Sequence, residues 1–80
     1  MVHIGSETVT INNAAGRLIY VYVSGAVAGG LYYIDFWSTD ITKIAGSSMV
    51  ESYVTMSKVA NSSSITFTNT SSGCDYTLIK

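Results

Sequence analysis

Short runs of β-branched and aromatic residues recur along this chain of 80 residues, and their spacing constrains the fold more than any other feature. Within the runs apolar and polar residues alternate, which is typical of a strand with one buried face. Turn-forming segments such as Asn12-Asn13 and Asn61–Ser64 separate the runs. No stretch has the spacing of an amphipathic helix. The pattern predicts strands at 7–11, 18–23, 31–37, 41–44, 49–56, 65–68 and 74–79.

Six or seven short strands without crossover helices are typical of a small antiparallel β-sandwich or barrel. We therefore expect an all-β fold, and a chain of this length forms one domain over residues 1–80. The segment 25–30, Gly-Ala-Val-Ala-Gly-Gly, fits either a broad hairpin loop or a bulged strand. Proline is absent from the chain, so no proline prevents the edge strands from pairing with another chain.

The composition indicates an oligomer. A domain this small buries only about 60–65% of the surface that its unfolded chain exposes, and small domains compensate with disulfides, metals or oligomerisation. Cys74 is the only cysteine and His3 the only histidine, so an internal disulfide and a four-ligand zinc site are both unsupported. Hydrophobic residues form 48% of the chain and charged residues 11%, against about 25% charged in ordinary domains.

Strand parity divides the side chains into two faces. The inward set is expected to be Ile19, Val21 and Val23, then Tyr32, Ile34 and Phe36, then Val50, Ser52, Val54 and Met56. The outward set contains Leu18, Met49 and Glu51 and six candidate residues for a subunit interface or a ligand-binding surface: Tyr20, Tyr22, Tyr33, Asp35, Trp37 and Tyr53. Aromatic side chains with a polar end favour interfaces and sugar sites. Ordinary packing against both faces of a central strand is the alternative.

Several function classes find no support in the residues. Neither His3 nor Cys74 has an activating neighbour, and Asp35, Asp40 and Glu51 lack a specific spacing, so we expect no enzyme, no cofactor and no metal. The net charge of −1 predicts no nucleic-acid partner. The apolar runs are too short for membrane insertion, and a standard export signal is not expected.

A family resemblance covers residues 17–80. Residues 27–37, VAGGLYYIDFW, lead into a short strand, a Ser/Thr/Asn-rich pair of strands follows at 64–72, and the chain ends in CDYTLIK. This pattern resembles the C-terminal β-rich domains of bacteriophage tail fibres and tailspikes. The resemblance implies a compact trimer, made in the host cytoplasm and carried in the virion tail, that assists trimerisation, receptor contact or both. It identifies no site residue.

Two functions of different classes follow as hypotheses. The first is a structural and assembly module of a phage tail fibre or spike, acting as a homo-oligomer with three copies, with a cell-surface glycan as a second partner. The second is a small phage-encoded protein that inhibits a host defence protein by direct binding. Threefold symmetry would favour the first function, and a twofold dimer would favour the second.

Overall fold

The computed structural model describes residues 1–70 and 73–79, and it confirms the expected antiparallel all-β fold with two sheets. The described residues form eight strands and one short helix. Their bounds are β1 (Val2–Ile4), β2 (Thr8–Ile11), β3 (Leu18–Val23), β4 (Ala28–Ile34), β5 (Ile41–Gly46), α1 (Met49–Tyr53), β6 (Val54–Lys58), β7 (Ile65–Asn69) and β8 (Cys74–Ile79).

The strands form a five-stranded sheet in the order β1-β8-β3-β4-β5 and a three-stranded sheet in the order β2-β7-β6. Every pairing in both sheets is antiparallel. The β3–β4, β4–β5 and β6–β7 pairs join strands that are consecutive in the chain, while β1 and β3 meet β8 from far away in sequence. Strand β1 pairs with β8, which lies almost the whole chain away in sequence, and forms one edge of the five-stranded sheet.

The inner faces of the two sheets meet in one apolar core. The five-stranded sheet contributes Ile19, Val21 and Val23, as the alternation predicts, and all three are fully buried. The three-stranded sheet contributes Ile65 and Phe67, whose ring packs against the Tyr76 ring with centroids 5.8 Å apart. The sandwich arises because the inner face of each sheet is apolar and the other sheet covers it.

The strand predictions at 18–23 and 74–79 are confirmed with their bounds, and those at 7–11, 41–44 and 65–68 are confirmed within two residues at either end. The prediction at 31–37 is shifted, since β4 runs from Ala28 to Ile34. Pairing with β3 brings the segment Ala28-Gly29-Gly30 into the strand. Strand β1 was not predicted, because three residues acquire strand structure only through β8.

The predicted strand at 49–56 is wrong in its first half, where the chain forms α1 before β6 begins at Val54. The Ser47 hydroxyl accepts a hydrogen bond from the Met49 amide at 3.1 Å, which favours a helical start. This segment crosses from the edge of one sheet to the edge of the other, and a single helical turn buries Val50 completely on the way. Ser52, expected inside, is exposed.

Candidate interaction surfaces

The outer face of the five-stranded sheet, on the side away from the core, is rich in apolar and aromatic side chains. We call it the aromatic face. Strand register places nine residues of β8, β3 and β4 on it in three rows: Asp75, Tyr22 and Gly29, then Thr77, Tyr20 and Leu31, then Ile79, Leu18 and Tyr33. Asp75 is the only acidic residue among these nine. Tyr20, Tyr22, Leu18 and Leu31 are half-buried, whereas Tyr33 and Ile79 are exposed.

Two adjacent glycines in β4 make room for two tyrosines on opposite sides of the sheet. A Cβ at Gly29 would lie 2.9 Å from the Tyr20 Cζ, so the Tyr20 ring lies down across β4 on the aromatic face. A Cβ at Gly30 would lie 3.1 Å from the Tyr32 Cζ on the core side. A side chain at either position would displace its ring. The Gly-Gly pair therefore flattens the aromatic face and admits Tyr32 beneath it.

A polar pair borders the aromatic face at the β1 end. His3 Nδ1 lies 2.7 Å from Asp75 Oδ1, and the two residues are also direct partners in the β1–β8 register. Asp75 is in turn the cross-strand partner of Tyr22. The single carboxylate of the three rows thus has a partner on its own sheet, which leaves the centre of the face apolar.

The outer face of the three-stranded sheet has a different chemistry. Its six outward positions are all hydroxyl residues, in two rows that the strand register aligns: Thr8, Thr68 and Thr55, then Thr10, Thr66 and Ser57. The hydroxyls of Thr8 and Thr68 are 3.1 Å apart. A groove of about 210 Å³ adjoins the second row, where Ser62 and Ser64 also line it. The two outer faces therefore differ in chemistry, and further exposed apolar side chains, such as Ile44 and Val59, lie outside both of them.

Asp35 and Trp37 were predicted on the aromatic face, but β4 ends before them. The Asp35 Oδ2 accepts hydrogen bonds from the Ser38 amide at 3.0 Å and the Ser38 hydroxyl at 2.7 Å. This local bonding ends the strand and forms a loop over residues 35–40. Trp37 lies in that loop, and 73% of its surface is exposed. Phe36, expected inside, is only half-buried.

Tyr53 does not join the aromatic face either. It is the last residue of α1, it is half-buried, and it packs against the core cluster. Its carbonyl oxygen accepts hydrogen bonds from the Thr70 amide at 2.8 Å and the Thr70 hydroxyl at 3.0 Å. The predicted grouping with Tyr20, Tyr22 and Tyr33 fails because it assumed a continuous strand at 49–56, and Tyr53 instead anchors the chain after β7.

An ionic cluster links α1 to β4 and β5 on the core side of the sheet edge. The Tyr32 hydroxyl donates a hydrogen bond to Glu51, and Lys43 Nζ donates to the other Glu51 oxygen at 3.2 Å. Burial, together with this bond to Glu51, raises the pKa of Tyr32 far above its usual value. The same hydrogen bond, with a smaller contribution from Lys43, lowers the pKa of Glu51. The cluster is structural, since it joins three elements.

Lys58 is buried at the far end of the three-stranded sheet, with 8% of its surface exposed. Its ammonium group donates to three backbone carbonyl oxygens, those of Phe36 at 2.9 Å, Val59 at 2.6 Å and Ser62 at 2.8 Å. An ammonium group is tolerated inside a protein only when its N–H groups donate hydrogen bonds to acceptors. Lys58 therefore holds two loops together at this end of the sandwich.

The sequence prediction missed part of the aromatic face. Alternation in 74–79 would have placed Asp75, Thr77 and Ile79 on one side, and pairing with β3 adds that side to the face. Leu31 could have been found by the parity that selects Tyr33. The hydrogen bonds of Lys58 have no signal in the sequence, because its carbonyl partners come from two loops and Phe36 lies 22 residues away.

The described residues contain no cluster of three or more His, Cys, Asp or Glu that could hold a metal. Across residues 1–70 and 73–79, no helix has the length and apolar character needed to cross a membrane. Comparisons with family models, with curated proteins and with solved structures found no match to this chain.

Proposed function

We propose that this chain is a structural and assembly module of a bacteriophage tail fibre or spike, acting as a homo-oligomer of three copies that meets a cell-surface glycan. The aromatic face carries the proposal. It is a contiguous apolar surface on a domain whose other outer face is uniformly hydroxylated. Contiguous exposed apolar surface marks a protein interface more often than a solvated face.

The edges of the sheets support association through the face. Edge strand β5 carries a bulge opposite Leu31 and Tyr32, and its Lys43 points inward to Glu51. Edge strand β6 carries the inward Lys58. Bulges and inward-pointing charges are the devices that prevent edge-to-edge pairing. Because these two edges are protected, a second copy is better suited to the aromatic face than to pairing along β5 or β6.

Identical copies are the simplest occupant of the face. Its three rows combine tyrosine rings with leucine and isoleucine and hold a single carboxylate, so they lack the charges that would select a differently charged partner. In a closed ring of three copies, one part of the face would contact a different part of the face on the next copy, and apolar side chains are present in all three rows. Three is the number that the resemblance to tail-fibre domains implies, and the virion tail is the location that follows from it.

Sedimentation velocity at micromolar concentration tests the assembly. We expect the unmodified chain to sediment as an oligomer and Leu31→Glu to dissociate it, because the new charge would be desolvated in the interface. Thr55→Glu is the matched control: it introduces the same charge at an exposed strand position on the hydroxyl face and should leave the oligomer intact.

A monomer at micromolar concentration would contradict the assembly proposal, and so would equal dissociation by both variants. A twofold dimer in place of three copies would favour the alternative function, direct inhibition of a host defence protein by a small phage-encoded protein.

A further inference from the structure

Trp37 is far more exposed to solvent than tryptophan residues usually are. Tryptophan is highly buried on average, yet 73% of the Trp37 surface is exposed. The ring meets the Phe36 ring edge to face, with centroids 4.8 Å apart and planes at 82°. This contact sets the direction of the indole and leaves most of its surface toward solvent.

The loop that carries Trp37 is braced from both sides. Within the loop, the Asp35 amide donates to the Asp40 carbonyl oxygen at 3.2 Å, and the Asp35 carboxylate holds Ser38. From outside, the Phe36 carbonyl oxygen accepts from Lys58 Nζ at 2.9 Å and from the Asn61 amide at 3.0 Å. The residue next to Trp37 is therefore fixed by a buried charge, and a preorganised ring loses less freedom on binding.

The surroundings of Trp37 differ from those of the aromatic face. The residues that follow it in the loop are Ser38, Thr39 and Asp40, of which Thr39 and Asp40 are exposed. A single ring beside hydroxyl and carboxylate groups suits a pyranose, whose C–H face stacks on the ring while its hydroxyls bind the polar groups. The exposed Val59 also lies at this end of the sandwich, but the exposed residues that follow the ring in its own loop are the polar Thr39 and Asp40, which suit a sugar better than a second protein copy.

We propose that Trp37 is the contact point for a neutral saccharide, with Thr39 and Asp40 as the hydrogen-bonding groups. This inference rests on the proposed function and assigns its glycan contact to the 35–40 loop and away from the aromatic face. Asp35 braces the loop and does not touch the sugar. Asp35 and Asp40 are both negative, and the ammonium of Lys58 is occupied by carbonyl oxygens, so an acidic sugar is disfavoured.

Saturation-transfer NMR on the full chain tests the proposal, with the methyl glycosides of glucose, galactose and N-acetylglucosamine as neutral probes and that of glucuronic acid as the acidic probe. We expect transfer to at least one neutral glycoside. Trp37→Ala should weaken that binding by at least roughly tenfold, and Trp37→Phe should retain part of it. Because Trp37 is the only tryptophan, a change in indole fluorescence on titration reports this ring directly.

Tyr33→Ala is the matched control, since it removes an exposed ring from the aromatic face. We expect it to weaken the oligomer in sedimentation and to preserve glycoside binding, while Trp37→Ala does the reverse. Absence of transfer to all three neutral glycosides, or undiminished transfer with Trp37→Ala, would overturn the saccharide site. Equal transfer to the glucuronide would overturn the preference for neutral sugars. The indole fluorescence titration keeps this test separate from that of the assembly, because it reports binding at Trp37 in a monomer and in an oligomer alike.

Discussion

Three residues other than glycine adopt a left-handed backbone conformation, and their side chains differ in how well they fit it. Among the described residues, Asn13, Val27 and Asn61 have φ angles of 56°, 49° and 59°. Asparagine adopts this conformation readily, whereas a β-branched residue does so rarely. Val27 closes the turn between β3 and β4, where its amide donates to the Ser24 carbonyl oxygen at 3.2 Å. The turn is therefore maintained against a local steric cost.

Replacing Val27 by asparagine should stabilise the fold. Val27→Asn removes a strained β-branched residue whose side chain is exposed, so we expect the free energy of unfolding to rise by about 1 kcal/mol in urea titrations. The opposite replacement at another left-handed position, Asn61→Val, should lower the free energy of unfolding by about 1 kcal/mol. An unchanged or lower urea midpoint for Val27→Asn would show that the Val27 conformation is not strained.

At the scale of elements, the cluster of Tyr32, Lys43 and Glu51 fastens α1 under the edge of the five-stranded sheet. The lowered pKa of Glu51 means that the folded state favours the ionised carboxylate. The stabilisation is present above the usual pKa of glutamate and is lost as the pH falls through the lower pKa of the folded state. The hydroxyl of Tyr32 stays protonated beyond its usual range, so the bond persists in mild alkali.

Glu51→Gln should make the fold less sensitive to acid. Between about pH 6 and pH 3 the unmodified chain should lose more stability than Glu51→Gln, since the variant carries no carboxylate to protonate. Tyr32→Phe removes the donor and should also reduce the acid-dependent loss. Urea midpoints measured across this pH range test the prediction. Midpoints that fall equally with pH in all three chains would argue against a role for the cluster.

At the scale of the whole molecule, Cys74 reports the integrity of the sandwich. It begins β8, its register partners are Ile4 on one side and Val23 on the other, and all three are buried. Burial, with a smaller contribution from the Asp75 charge, raises the pKa of its thiol to about 11. The reactive thiolate is therefore scarce at neutral pH while the sheet is intact.

A thiol reagent should modify Cys74 only after the sheet opens. We expect labelling in native buffer to be slow and to accelerate in urea in parallel with the unfolded fraction measured by circular dichroism. Rapid labelling in native buffer, with unchanged circular dichroism, would instead show that β1 separates from β8 without global unfolding.

The residue sequence alone determined the elements whose alternation is strong and local. The runs 18–23 and 74–79 predict β3 and β8 with their bounds, because β-branched and aromatic residues fill them and turn residues flank them. The same parity identifies Tyr20, Tyr22 and Tyr33 as outward residues. This much follows because side chains in a strand point alternately to opposite faces.

Tertiary structure decided the features that depend on partners distant in sequence. Strand β1 exists through its pairing with β8, α1 forms where the chain passes between sheet edges, and Gly29 and Gly30 belong to a strand because they pair with β3. The loop that carries Trp37 is held by Lys58, which donates to the Phe36 carbonyl oxygen from 22 residues away in sequence. Alternation cannot report these contacts, because it records only which face a residue takes and not what that face meets.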